Sequence, residues 1–193
     1  MKIVEHFCCH TRLPVKLAAI SEHIIETSPV DKLYRASVDI DPEILKGAYR
    51  EYHHKPPYAP PGGEIVGEVI YSQHLGPYEA RLVQCKEMLH AFDNADEKAS
   101  DIEHVKQLAK DIILPLDIMI QRAGAISRHF LSDKSMLIPA LAILLPRDFL
   151  NEVRPYYEAE KVTVADISKL AKVPSAYVRV ALLSDWQSLV EQI

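Results

Sequence analysis

The fold is decided by the stretch Ala80-Arg81-Leu82-Val83-Gln84-Cys85-Lys86-Glu87-Met88-Leu89-His90. In the helical motif H-E-x-x-H, two histidines four residues apart bind zinc from one helix face, and the glutamate between them activates the attacking water. Glu87 and His90 keep the positions of that glutamate and of the second histidine, whereas Lys86 stands at the position of the first. A protonated ammonium has no lone pair to donate to a metal. The stretch therefore predicts a zinc-peptidase-type helix in which one ligand is replaced.

The strands expected before this helix are few and short. Leu33 to Ile40 alternates apolar and polar residues as a half-buried strand does, and Glu64 to Tyr71 has the composition of a second strand. Val15 to Ile25 places its apolar residues at helical spacing, and a short helix is expected at Pro42 to Tyr49. The prolines and glycines of His53 to Gly63 predict a surface loop within the domain.

The chain after the second strand is expected to be helical almost to its end. The motif helix begins near Pro77 or Tyr78, and Ile102 to Ala123 is apolar at helical spacing with Pro115 as an expected kink or break. Further helices are expected at Leu137 to Leu145, Asp148 to Tyr157, Thr163 to Leu170, Ser175 to Leu183 and Asp185 to Glu191. The pattern predicts an α+β fold, mostly α-helical, with a small β-sheet before the motif helix.

Size and charge limit the classes of function. The 193 residues are 48% hydrophobic and 25% charged, which is typical of one globular domain with a substantial core. A net charge of -5 gives no electrostatic reason to expect nucleic acid or an anionic membrane as a partner. No apolar run reaches the roughly 18 residues of a membrane span, and no signal peptide is expected.

The cysteines favour a reducing compartment. Cys8, Cys9 and Cys85 are odd in number and two are adjacent, unlike the spaced framework of a disulfide-stapled secreted domain. We therefore expect a cytoplasmic protein. Cys8-Cys9-His10 also lacks the C-x-x-C spacing that wraps two thiolates around zinc, so these residues are not expected to form a zinc site.

Three segments in a fixed order resemble the ImmA/IrrE family of bacterial and phage zinc-peptidase-like proteins. They are Glu79 to His90 with the K-E-x-x-H motif, Ala140 to Leu150 with its Leu-Leu-Pro helix end, and Val164 to Pro174 with a closing segment similar to a helix-turn-helix. The likeness runs from about Gly47 to the C-terminus. It implies a zincin-like domain over residues 1–193. The domain comprises an N-terminal helix, strand and Pro-rich loop (1–60), a zincin-like core (61–160) and a small helical tail (161–193).

The resemblance also identifies where ligands are missing. Members that bind zinc use a third, acidic ligand before the Leu-Leu-Pro helix, and Ser135 stands at that place when residues are counted back from Pro146. A rival alignment places His104, next to Glu103, at the third-ligand position. Asp133 and Cys85 are further ligand candidates if a remnant site still holds a metal.

Three functions follow from these residues. In the first, Lys86 occupies the space of the missing histidine and pairs with Glu87, the remnant general base. His90 is then a remnant ligand, no cofactor is required, and the protein acts by binding a protein or peptide in a regulatory, mobile-element-related role that the family implies. In the second, an active zinc peptidase uses an altered ligand set with His90, Glu87 and a residue from 101–104.

The third function is a DNA-binding regulator built on the C-terminal helices. Val164 to Val180 has the rhythm of a helix-turn-helix, but a DNA-reading helix needs basic or amide side chains at its start. Pro174 to Ala176 occupy that start, and Arg179 is the basic residue of the second helix. Structural packing is therefore favoured over base reading. The exposed pair His53-His54 is expected to be an ordinary polar pair, and the sequence leaves the oligomeric state open.

Overall fold

The computed structural model describes residues 1–55, 57, 62–93 and 136–191, and within them the chain is an α+β fold. The first half contains α1 (Lys2–Phe7), α2 (Leu17–Thr27), β1 (Lys32–Val38), β2 (Gly47–His54), β3 (Glu64–Ser72) and α3 (Pro77–Leu89), followed by a 3-10 turn at His90–Phe92. The second half contains α4 (Leu137–Leu144), α5 (Arg147–Glu158), α6 (Val164–Ala171), α7 (Ser175–Ala181) and α8 (Trp186–Val190).

The three strands form one mixed sheet in the order β1-β3-β2. β3 is central, runs parallel to β1 and pairs antiparallel with β2, so that Val69 lies between Arg35 and Tyr49. Val69 and Tyr49 are buried in the core, which places this face of the sheet against the helices. Ion pairs between neighbouring strands lie on the opposite face, where Lys32 contacts Glu64 and Arg50 contacts Glu68.

Helix α3 lies between the sheet and α4. Pro77 opens the helix, where its fixed φ angle suits the first turn and its missing N–H is not needed. The helix buries Leu82, Cys85 and Met88, and Cys85 Sγ lies 3.9 Å from the carbonyl oxygen of Ala140 in α4. An apolar helix such as α4 has to be buried on every side. The motif helix therefore lies beside the Leu-Leu-Pro helix.

Local capping interactions fix where the first helix of the tail begins and ends. Thr163 and Asp166 form a reciprocal capping box at the start of α6. The helix ends at Ala171. Lys172, the next residue, takes the left-handed conformation common after helices, and Val173 is buried in the core. Val178 and Ala181 of α7 are also buried. The predicted pair of short helices is therefore present.

Two sequence expectations in the first half are wrong. The short helix expected at Pro42 to Tyr49 is a turn followed by the start of β2, and His53 and His54 end this strand instead of opening a loop. Pairing along all of β2 with β3 supplies the backbone hydrogen bonds that decide this region, and local propensity yields to that pairing. Helix α1 was not expected at all.

The remaining expected elements agree with the structure or fall outside it. The predicted helix at Ile102 to Ala123 lies outside the described residues. None of the helices in the described ranges combines the length and the apolar character that a bilayer span requires.

Candidate functional site

The C-terminal end of α3 brings the motif side chains together around a buried carboxylate. Glu87 is only 3% exposed. Its Oε1 lies 2.9 Å from Lys86 Nζ, and its Oε2 lies 3.8 Å from His90 Nε2. The contact with Lys86 is an ion pair by distance, yet among the described residues Oε1 has no partner with hydrogen-bond angles. Glu87 therefore keeps acceptor capacity while its charge is compensated.

His90 is fixed by a carboxylate that sequence reasoning missed. Its Nδ1 lies 2.6 Å from Asp93 Oδ2, and both side chains are almost fully buried. Burial alone would lower the pKa of His90, but the hydrogen bond to Asp93 and the negative charges of Glu87 and Asp93 outweigh burial and the repulsion from Lys86. The net result is a pKa above the usual value, which favours the imidazolium. The 3-10 turn that follows α3 explains why a residue three positions after His90 can reach it.

Strand β2 closes one side of the site through Gly47. A Cβ atom at this position would lie 2.4 Å from Val83 Cγ1 and 3.0 Å from Glu87 Cγ. The glycine is therefore required for the strand to pass this close to α3. Two residues further on, the Tyr49 hydroxyl donates to Glu51 over 3.0 Å. Burial raises the pKa of Tyr49, and the charges of Glu51 and Asp93 raise it further.

A cleft of about 330 Å³ opens over Lys86 and Glu87. The connection between β1 and β2 forms one wall and α3 the other, and Tyr177 of α7 also lines the space. A salt bridge of 2.7 Å between Lys46 and Glu79 joins the two walls. The lining residues are Pro42, Glu43, Ile44, Leu45, Lys46, Gly47, Glu79, Leu82, Val83, Lys86, Glu87, Leu137 and Tyr177.

The described residues do not supply a zinc site. Zinc in a catalytic site takes three protein ligands of the His, Cys or carboxylate type. No group of three such side chains with metal-binding geometry occurs within the described part of the chain. An ammonium stands beside Glu87, and the nearest imidazole nitrogen faces Glu87 at 3.8 Å. No chemical step through a metal is therefore derived from these residues.

The other expected site residues do not join this cluster. Glu103, His104, Asp133 and Ser135 lie outside the described residues. Cys85 points into the core, where burial raises its pKa to about 12, so its thiol stays protonated. Lys172 and Arg179 are exposed on the helical tail.

Comparison with protein-family models, with curated proteins and with solved structures found no significant match to this chain. The resemblance to the ImmA/IrrE family therefore stays a prediction from sequence.

We expect the substitution Asp93→Asn to lower the pKa of His90, because it removes a carboxylate and leaves the burial in place. A raised folded-state pKa contributes stability below the unfolded value, and this contribution is lost as pH rises through the folded-state value. The variant should therefore lose about 1.5–3 kcal/mol in acid, the range for a hydrogen bond to a charged group, and less at alkaline pH. Imidazole NMR titration and urea unfolding measure both effects. Asp185→Asn, at an exposed position, is the control, and an unchanged His90 titration would contradict the geometry.

Gly47→Ala should destabilise the fold by about 1–3 kcal/mol, the usual cost of overpacking, because Val83 and Glu87 leave no room for a methyl group. Gly76→Ala is the matched control, since a Cβ at Gly76 meets nothing within 4 Å. Its effect should stay within about 1 kcal/mol, because a weaker helix cap and reduced unfolded-state entropy oppose each other. Equal unfolding midpoints for the two variants in urea would show that the close approach of β2 to α3 is absent.

Proposed function

We propose that this protein is a degenerate, zincin-like member of the zinc-peptidase-type proteins and that it acts by binding a protein or peptide segment in the cleft above Lys86 and Glu87. The observation that carries the proposal is the 2.9 Å ion pair between Lys86 and Glu87 at the position where the motif would hold a metal. The role that the family resemblance implies for such a protein is regulatory, in a phage or mobile-element setting.

Loss of hydrolysis follows from the chemistry of the replacement. Zinc lowers the pKa of its bound water to about 7 and so generates a nucleophile at neutral pH. A single ammonium carries half the charge, offers no open coordination position and cannot activate water in this way. Glu87, the residue that would take the proton from that water, is instead engaged with Lys86.

Retention of binding is supported by the shape and polarity of the cleft. Its walls present apolar side chains from Ile44, Leu82 and Leu137, while charged groups line the rim and floor. Lys86 and Glu87 of the ion pair both line the cleft. Groove shape does not depend on catalytic groups, so the cleft can persist when a metal site is lost.

Metal analysis tests the loss of the zinc site. Protein purified without chelators or a nickel column should contain far less than one zinc per chain, and His90→Ala should leave that content unchanged. Lys86→His should raise zinc uptake because it restores the missing imidazole. Mass-spectrometric metal analysis of the three proteins gives the readout. Stoichiometric zinc that disappears in His90→Ala would instead support an active peptidase with an altered ligand set.

Peptide binding tests the cleft. Peptides selected from a random library on the wild-type protein should bind Ile44→Asp at least about 10-fold more weakly, a loss of about 1.4 kcal/mol. Ile44 is 65% exposed and lines the cleft, so a carboxylate there changes the wall with little effect on folding. Leu183→Asp is the matched control, because Leu183 is 53% exposed and does not line the cleft. Fluorescence anisotropy measures the affinities, and equal losses in both variants would contradict binding at this place.

A further inference from the structure

A second cluster, remote in sequence from the motif, joins the end of α1 to the start of α5. Cys8 and Cys9 follow α1 directly, and their Sγ atoms lie 3.3 Å apart. The backbone N–H of Asp148 donates to the carbonyl oxygen of Cys8 over 3.0 Å, and Arg147 Nη2 lies 3.7 Å from Cys8 Sγ. Cys9 is exposed and Cys8 is half-buried. The two thiols therefore point the same way, and the guanidinium of Arg147 lies next to them.

This geometry suits a bridging atom better than a disulfide. Adjacent Cα atoms are about 3.8 Å apart across a trans peptide bond, whereas disulfides usually need about 4.4–6.8 Å between Cα atoms. A direct bond between Cys8 and Cys9 would therefore strain the backbone. An atom inserted between the sulfurs removes that constraint, because each sulfur then bonds to the atom and not to its neighbour.

The distance between the two Sγ atoms restricts which elements can bridge them. If each bond from sulfur to the bridging atom is about 2.3 Å long, as a Zn–S bond is, two sulfurs 3.3 Å apart subtend an angle of about 92° at that atom. Zinc prefers the wider tetrahedral angle and four ligands. The described residues offer no third His, Cys or carboxylate group in metal-binding geometry. An atom that forms narrow, pyramidal bonds and brings its own third substituent fits this site, and trivalent arsenic carrying one organic group has both properties.

A cavity beside Cys8 provides space for that organic group. It has a volume of about 280 Å³. Apolar side chains from Val4, Ala142, Leu145 and Trp186 line one part of it together with Cys8, and Glu5, Arg147, Gln187 and Glu191 line its polar part. A buried apolar cavity of about 150 Å³ is enough to hold benzene in a protein. An aryl substituent on an atom bound at Cys8 can therefore lie against the apolar part of this cavity.

We propose that Cys8 and Cys9 form a dithiol site that captures a trivalent organoarsenic compound, with the organic group in the cavity lined by Trp186. With phenylarsine oxide, two As–S bonds form and the two S–H bonds break. The two protons leave with the oxide oxygen as one water molecule, and arsenic stays trivalent throughout. The hydrogen bond with Cys8 and the charges of Cys8 and Asp148 raise the pKa of Cys9.

Intact-mass analysis of the full, reduced chain with equimolar phenylarsine oxide tests the proposal. We expect one phenylarsenic group per chain, retained against excess monothiol and removed by a small vicinal dithiol. Cys8→Ser and Cys9→Ser should each release the group roughly 10²-fold faster or more, because the second thiol no longer acts at high effective concentration. Cys85→Ala is the control and should behave as wild type, since Cys85 is buried in the core.

Several results would overturn the site. Retention in either serine variant at the wild-type level would show that the two thiols do not act together, and loss in Cys85→Ala would place the reaction elsewhere. Circular dichroism of each variant verifies that it is folded. Arsenite, which lacks an organic group, should be released faster than phenylarsenic. Equal release rates would show that the cavity does not bind the organic group.

Discussion

The buried carboxylate of Glu87 is the constraint on which the site depends. An ionised carboxylate at 3% exposure costs several kcal/mol unless opposite charge and hydrogen bonds compensate it. The chain supplies compensation locally, because Lys86 and His90 come from the same helix end as Glu87. Gly47 then lets β2 approach the side chain of Glu87 closely. The C-terminal end of α3 thus holds the charged cluster, while the rest of the helix packs apolar side chains into the core.

The charges around Glu87 also suggest how a metal site can be lost without loss of the fold. When His90 is protonated, it and Lys86 together carry two positive charges, the same formal charge as a zinc ion. They face the carboxylates of Glu87 and Asp93 at 2.9, 3.8 and 2.6 Å. Such a network balances the charge of the carboxylates. The nitrogen atoms that carry the positive charge are protonated, however, so they have no lone pair to donate. Under the proposed function, shape and charge survive while the chemistry that needs an open coordination position does not.

The sequence predicted the parts of this fold that local patterns determine. Helices α2 to α8 carry apolar periodicity, caps or prolines, β1 carries alternation and β3 has the composition of a strand, so these elements were predicted nearly to their ends. β2 was missed because its pairing partner, which lies later in the chain, decides its conformation. The site was also predicted in part: the motif identified Lys86, Glu87 and His90. Gly47 and Asp93 became visible only through contacts across elements, since nothing in their neighbouring residues marks them.

The order of the sheet has a consequence for how the chain folds during synthesis. Within the described ranges, β1 and β2 are the edge strands of the sheet, and each forms its ladder with β3. Lys32 pairs opposite Val66. The partner of β1 is therefore synthesised more than thirty residues later, and β1 cannot form its ladder before then. Such non-local pairing slows folding because the intervening loop must be closed first. The strand made last is the template on which the two earlier strands assemble.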